Sequence, residues 1–201
     1  MKSTTQPFDP SKVAFFEKAG WEAYYARRWG RAFLLMVRLN REQFRMPLPT
    51  AIAAAVDIVR ASQAFAPLEN NDVPAAKDHV ERFYEKARRS MGLEAGAAEL
   101  AALELDYWVV HRDLAQQRKQ AVAKGAQIED NSARMVDSLE RLHAALFKAE
   151  PSAIRRSADL RAEANVAVDR ITGGYSKDVP ADWRLVEEKL QAAYTALSRH
   201  N

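Results

Sequence analysis

Apolar residues along this chain recur at spacings of three and four, and the alternation that builds strands is almost absent. Prolines, glycines and acidic caps then mark where the predicted helices begin and end. Asp9-Pro10 places a capping carboxylate before a proline at the first helical position, so a first helix should run to about residue 19, with Gly20 a point of interruption. From Trp21 a stripe passes through Tyr25, Trp29, Phe33 and Met36. It reads as helix until Met46-Pro47-Leu48-Pro49, because each proline disfavours helix in the residue before it. Thr50 is the expected cap of an alanine-rich helix reaching Phe65, and 67–72 reads as a loop.

Asp72-Val-Pro74 opens a further helix that should stop near Gly92. A long central helix is predicted over about 94–123, then a polar turn, then a helix from Ser132 to Lys148. Glu150-Pro151 opens the next, closed by Gly173-Gly174, and Asp178-Val-Pro180 opens the last. Short connections favour antiparallel neighbours. The expected fold is all-α: one domain over 1–201, an antiparallel bundle of about seven helices around the 94–123 helix. The identical Asp72-Val-Pro-Ala75 and Asp178-Val-Pro-Ala181 are read as one good helix opening used twice, since the similarity ends within two turns.

Composition narrows the class. With 48% hydrophobic and 28% charged residues the chain is an ordinary globular protein able to build its own core. Without cysteine it has no disulfide, thiolate metal site or cysteine nucleophile. A net charge of +3 is too small to call for nucleic acid, which is not an expected partner. The first ten residues lack a signal-peptide core, and no run approaches the roughly 18 apolar residues of a membrane span, so no membrane and a cytoplasmic location are expected. Walker, dinucleotide, EF-hand and serine-elbow signatures are absent from the sequence, which leaves open whether the chain is an enzyme.

Residues 96–111 are apolar around the whole helix circumference yet contain Glu104 and His111, which should therefore meet polar partners or line a cavity. Glu22 falls within the angular range of the Tyr25, Trp29, Phe33 and Met36 stripe. His143 shares a line with Val136, Leu139 and Phe147, with Glu140 flanking it, and Glu163 lies beside the Leu160, Ala164, Ala167 and Ile171 stripe. Phe15, Phe16, Trp21, Tyr24 and Phe33 add to an unusually aromatic N-terminal region that could wall a pocket or simply fill a core. The favoured reading is a binding protein that holds a small molecule or a protein partner in a cavity lined by Glu22, Tyr25, Trp29, Glu104, Trp108 and His111, with no cofactor. Arg31, Arg38 and Arg45 recur every seven residues and form a strip for an anion, an acidic partner or a second copy of the chain, so a homo-oligomer or scaffold is a further reading.

One inventory points elsewhere. Glu140-Arg-Leu-His143 matches the Glu-x-x-His pair of the ferritin-like di-iron and di-manganese carboxylate proteins, which this set of acids and histidines resembles. The resemblance implies an oxidoreductase in which Glu22, Glu104, Glu140 and Glu163 bind two iron or manganese ions, with His111 and His143 completing the shell. The chain departs from the family in having one such pair rather than two. Its Glu104-x6-His111 spacing is similar to that of haem-oxygenase-like di-iron oxidases, which also need a later histidine-rich helix, whereas after His143 only His200 remains.

Overall fold

Three helix starts among the described residues are set locally, by aspartate side chains that satisfy otherwise orphaned backbone amides. A computed structural model describes residues 8–128 and 131–198, and His200 lies outside them. Among the described residues there are eight helices and no strand: α1 (Pro10–Tyr25), α2 (Trp29–Gln43), α3 (Leu48–Phe65), α4 (Val73–Met91), α5 (Ala97–Ala123), α6 (Ala133–Leu146), α7 (Pro151–Thr172) and α8 (Val179–Ser198). Asp9 caps α1 by accepting from the Ser11 and Lys12 amides at 3.0 and 3.2 Å. Asp72 and Asp178 each accept from the alanine amide three residues on, at 2.9 Å, so the repeated Asp-Val-Pro-Ala segment does the same capping work twice. Gly92 ends α4 in the left-handed conformation, at φ 69°, which a residue without Cβ adopts freely.

Four local expectations give way. α1 passes through Gly20 without interruption, and the helical stripe read from Trp21 to Met36 is instead cut at Ala26–Arg28, where Arg27 turns left-handed at φ 56°. Tyr25 and Trp29 therefore sit on different helices, and a single 100° wheel does not relate them. Thr50 is not the cap of α3, which begins two residues earlier at Leu48. α5 is not buried all round: Leu100, Ala101, Leu105, Tyr107, Leu114 and Arg118 are buried, while Val109 is 47% exposed.

The described residues form two compact units, the first reaching Leu105 and the second starting at Asp106, so the boundary falls within α5. In the first unit α1 packs on α2, α2 on α3, and α3 on α4. Ala51, Ala54, Ala55 and Ala61 on α3 and Ala76 and Ala87 on α4 are fully buried, and small side chains let packed helices approach closely. Phe44, Phe83 and Tyr84 add edge-on aromatic contacts. In the second unit α7 packs on both α6 and α8. Its core is built from Leu114, Met135, Leu139, Ala158, Val186 and Leu190, all fully buried. No helix among the described residues is long and apolar enough to cross a membrane.

The end of α7 is tightly packed. A Cβ on Gly173 would lie 2.5 Å from the Tyr175 ring and 2.7 Å from the Asp169 carbonyl oxygen. Gly173→Ala should therefore lose about 1–3 kcal/mol, the usual cost of overpacking. Urea unfolding checks this, and an unchanged midpoint would contradict the packing described.

Candidate functional site

The acids and histidines singled out by the sequence fall on both units. Glu22 and Glu104 belong to the first, and His111, Glu140, His143 and Glu163 to the second. Glu22, half-buried, pairs with Lys18 one turn earlier on α1, at 3.0 Å. Glu104, half-buried on α5, accepts a 2.7 Å hydrogen bond from the Tyr84 hydroxyl of α4. Glu140 meets Arg155 at 2.8 Å, and the exposed Glu163 meets Lys189 at 2.5 Å. Each of these carboxylates thus has its own polar partner. Among the described residues no group of three or more histidines and carboxylates is gathered closely enough to hold a metal ion.

His111 leads into a polar cluster inside the second unit. Its Nε2 lies 2.9 Å from Asp169 Oδ1 on α7, and the other carboxylate oxygen of Asp169 accepts from Arg118 at 2.6 Å. Asp169 and Arg118 are both buried. Removing two charges from water is costly, and a short charge-assisted bond with a further partner on the second oxygen offsets that cost. The Tyr107 ring stacks parallel on the His111 imidazole, with 5.9 Å between centroids. Asn165 donates to the Tyr107 hydroxyl at 3.0 Å and to the Met135 sulfur at 3.2 Å. Arg161 reaches the Tyr194 hydroxyl at 3.0 Å and lies 6.0 Å from the Tyr107 ring centre. These bonds clasp α5 to α7 through side chains. Both oxygens of Asp169 are occupied by protein, which suits a structural ion pair better than a reacting group.

His143, on α6, is the other buried imidazole. Its Nδ1 has no hydrogen-bond partner among the described residues. Burial in apolar surroundings disfavours the charged ring, and the positive charge of Arg161 adds to this, so its pKa is pushed down to about 3. The ring is neutral at physiological pH and packs edge-on against Phe147. At the start of α8, Asp182 accepts from Arg170 and from Ser176 Oγ, and the Arg170 bond holds its carboxyl below the usual range.

The aromatic pair predicted to wall a cavity is on the surface. Trp29 is 57% exposed, and Tyr24 and Tyr25 are exposed beside it. The Tyr24 ring meets Tyr25 and Trp29 edge-on, at 5.3 and 5.4 Å, so the three rings form one fixed cluster where α1 turns into α2. Arg27, Arg28 and Arg31 are exposed in the same turn, and Arg38 and Arg41 follow on α2. From Ala23 to Arg41 the chain carries five arginines and no carboxylate. The seven-residue strip is shorter than its spacing suggested. α2 ends at Gln43, so Arg45 leaves the helix, and its φ of 51° turns it away from the line of Arg31 and Arg38. Trp108 is half-buried on α5.

Sequence reasoning passed over Asp169, although Ala158, Ala162, Asn165 and Asp169 follow one another at spacings of four, three and four on the buried side of α7. No sequence signal distinguishes the buried Arg118 from its exposed neighbour Lys119. Tyr84 carried no signal beyond aromatic packing. Comparison with models of known protein families, with curated proteins and with solved structures finds no match to this chain.

Proposed function

We propose that this chain is a binding protein whose α1–α2 turn captures a protein partner bearing an apolar side chain flanked by acidic residues. The observation that carries this reading is the exposed Tyr24, Tyr25 and Trp29 cluster, set among Arg27, Arg28 and Arg31 with no carboxylate from Ala23 to Arg41. Tryptophan, tyrosine and arginine dominate the energetics of protein interfaces. Rings already fixed against one another lose little conformational freedom on binding. The surrounding guanidinium groups would steer and align a carboxylate-rich segment. Leu34, 63% exposed on α2, offers a second apolar contact beyond the aromatic cluster.

A peptide-display selection on the purified chain, followed by fluorescence titration of the recovered peptides, tests this. The selection should enrich sequences in which Asp or Glu flank Leu, Phe or Trp. Trp29→Ala should then weaken binding by about 30-fold, the loss of a strong anchor, without lowering thermal stability. Arg27→Glu combined with Arg31→Glu should reverse the charge preference. Recovered peptides without acidic bias, or equal affinity for the variants, would sink the proposal. So would tighter binding to phosphatidylserine vesicles or to a thymidine oligonucleotide than to any selected peptide.

A further inference from the structure

The first unit contains a cleft of about 650 Å³ between the loop preceding α3, the first turns of α3 and the last turns of α4, lined by Arg45, Pro47, Thr50, Lys86, Arg89 and Ser90 with Pro49 and Ala53. We infer that this cleft binds the phosphate group of a small organic phosphomonoester.

Charge carries the inference. Three of the lining residues are cationic, two bear hydroxyls, and none is a carboxylate. Lys86 is held in place by Asp57, whose carboxylate accepts from it at 2.6 Å, and by the Arg82 carbonyl at 3.1 Å. An ammonium has three donors, so one remains for a ligand. Arg89 uses Nε on Glu85 at 2.8 Å, and among the described residues its terminal nitrogens make no bond, which leaves them for the two-pronged grip that guanidinium gives to phosphate. Asp57 and Glu85 pair with these cations and are not among the lining residues. Asp57 is itself buried, so its lone charge fixes the lysine it pairs with.

The rest of the lining fits the same chemistry. α3 opens without a side-chain cap, and Thr50 is in its first turn, so the positive end of the helix adds to the field set by the cations. Arg45 adopts a left-handed backbone that costs a non-glycine residue energy, and this conformation places it in the lining rather than on the line of Arg31 and Arg38. Pro47, Pro49 and Ala53 supply an apolar wall. Five of the eight lining residues, Arg45, Pro47, Pro49, Ala53 and Arg89, are exposed, so the cleft is an open groove in which an organic body would lie against the proline wall. Donors from Lys86, Arg89 and two hydroxyls suit a tetrahedral dianion better than a planar carboxylate, which one guanidinium satisfies.

This site is separate from the α1–α2 surface, and the test keeps them apart. Phenyl phosphate, inorganic phosphate and benzoate are titrated into the full chain by calorimetry, with amide NMR shifts followed in parallel. Phenyl phosphate should bind best, raise the melting temperature and move the Thr50, Ala53 and Ser90 amides. Its affinity should fall as the pH drops through the second phosphate pKa of about 6, where the dianion gains a proton. Arg45→Asn with Arg89→Gln should weaken it at least tenfold while the chain stays folded by circular dichroism. Asparagine tolerates the left-handed backbone, and Lys86 is left intact because its removal would strand Asp57. Arg31→Gln with Arg38→Gln should leave phenyl phosphate binding unaltered. No binding at millimolar phenyl phosphate, benzoate binding equally well, or equal losses in the two double variants would each overturn the assignment.

Discussion

Asp169→Ala should lower the unfolding free energy by about 3–5 kcal/mol, the cost of leaving a buried cation without its partner. Arg118 is 3% exposed and its 2.6 Å bond to Asp169 is the shortest it makes; the others, to Asn131 and Ser132, are 3.5 and 3.3 Å. His111 would lose its acceptor in the same variant. The informative comparison is a double variant, Asp169→Leu with Arg118→Met, which removes both charges and should recover much of the loss, because the desolvation cost disappears together with the attraction. Chemical denaturation of the single and double variants decides this. A single variant within about 1 kcal/mol of the parent would mean that Arg118 is solvated and that the clasp between α5 and α7 is not the ion pair described.

The second large effect is a loss of stability in mild acid, centred on His143. Its folded pKa of about 3 lies below the ordinary imidazole value of 6.5. The unfolded chain therefore binds a proton that the folded chain refuses. The stabilisation is fully present above about pH 6.5 and is lost as pH falls toward 3, at about 1.4 kcal/mol per pH unit. At pH 5 this amounts to about 2 kcal/mol. Urea midpoints measured between pH 7.5 and 4.5 should fall steeply for the parent chain. His143→Met should flatten that slope while changing stability at pH 7.5 little, since it removes a buried nitrogen that lacks a hydrogen-bond partner. An undiminished acid slope in His143→Met would place the protonating group elsewhere.

Much of the helical framework was legible because its signals are local. Asp9, Asp72 and Asp178 cap, Gly92 closes and Pro151 opens a helix, as spacing and residue type suggested. The break at Ala26–Arg28 was not legible. It contains neither glycine nor proline, and the left-handed Arg27 is a conformation to which arginine gives no sequence cue. Reading through the break put Glu22, Tyr25 and Trp29 on one wheel, whereas Trp29 begins a new helix.

The polar interior was legible in one half of each pair. An apolar stretch containing Glu104 and His111 announced that both needed partners, and Tyr84 and Asp169 provide them. The partners themselves stayed hidden. α7 lies between α6 and α8 and buries a wide arc, so an acid outside the obvious stripe, Asp169, is inside the unit, and the acid beside that stripe, Glu163, is outside.

By itself, then, the sequence determined most of the elements, the break at Ala26–Arg28 excepted: a helix depends on neighbours three and four residues away and on the residues at its ends, all written within a short window. Only the tertiary structure decided which charges are buried and which rings meet water. Asp169 and Arg118 are 51 residues apart in the chain, and the solvation of each depends on side chains brought to it by other helices, which no spacing along one helix encodes.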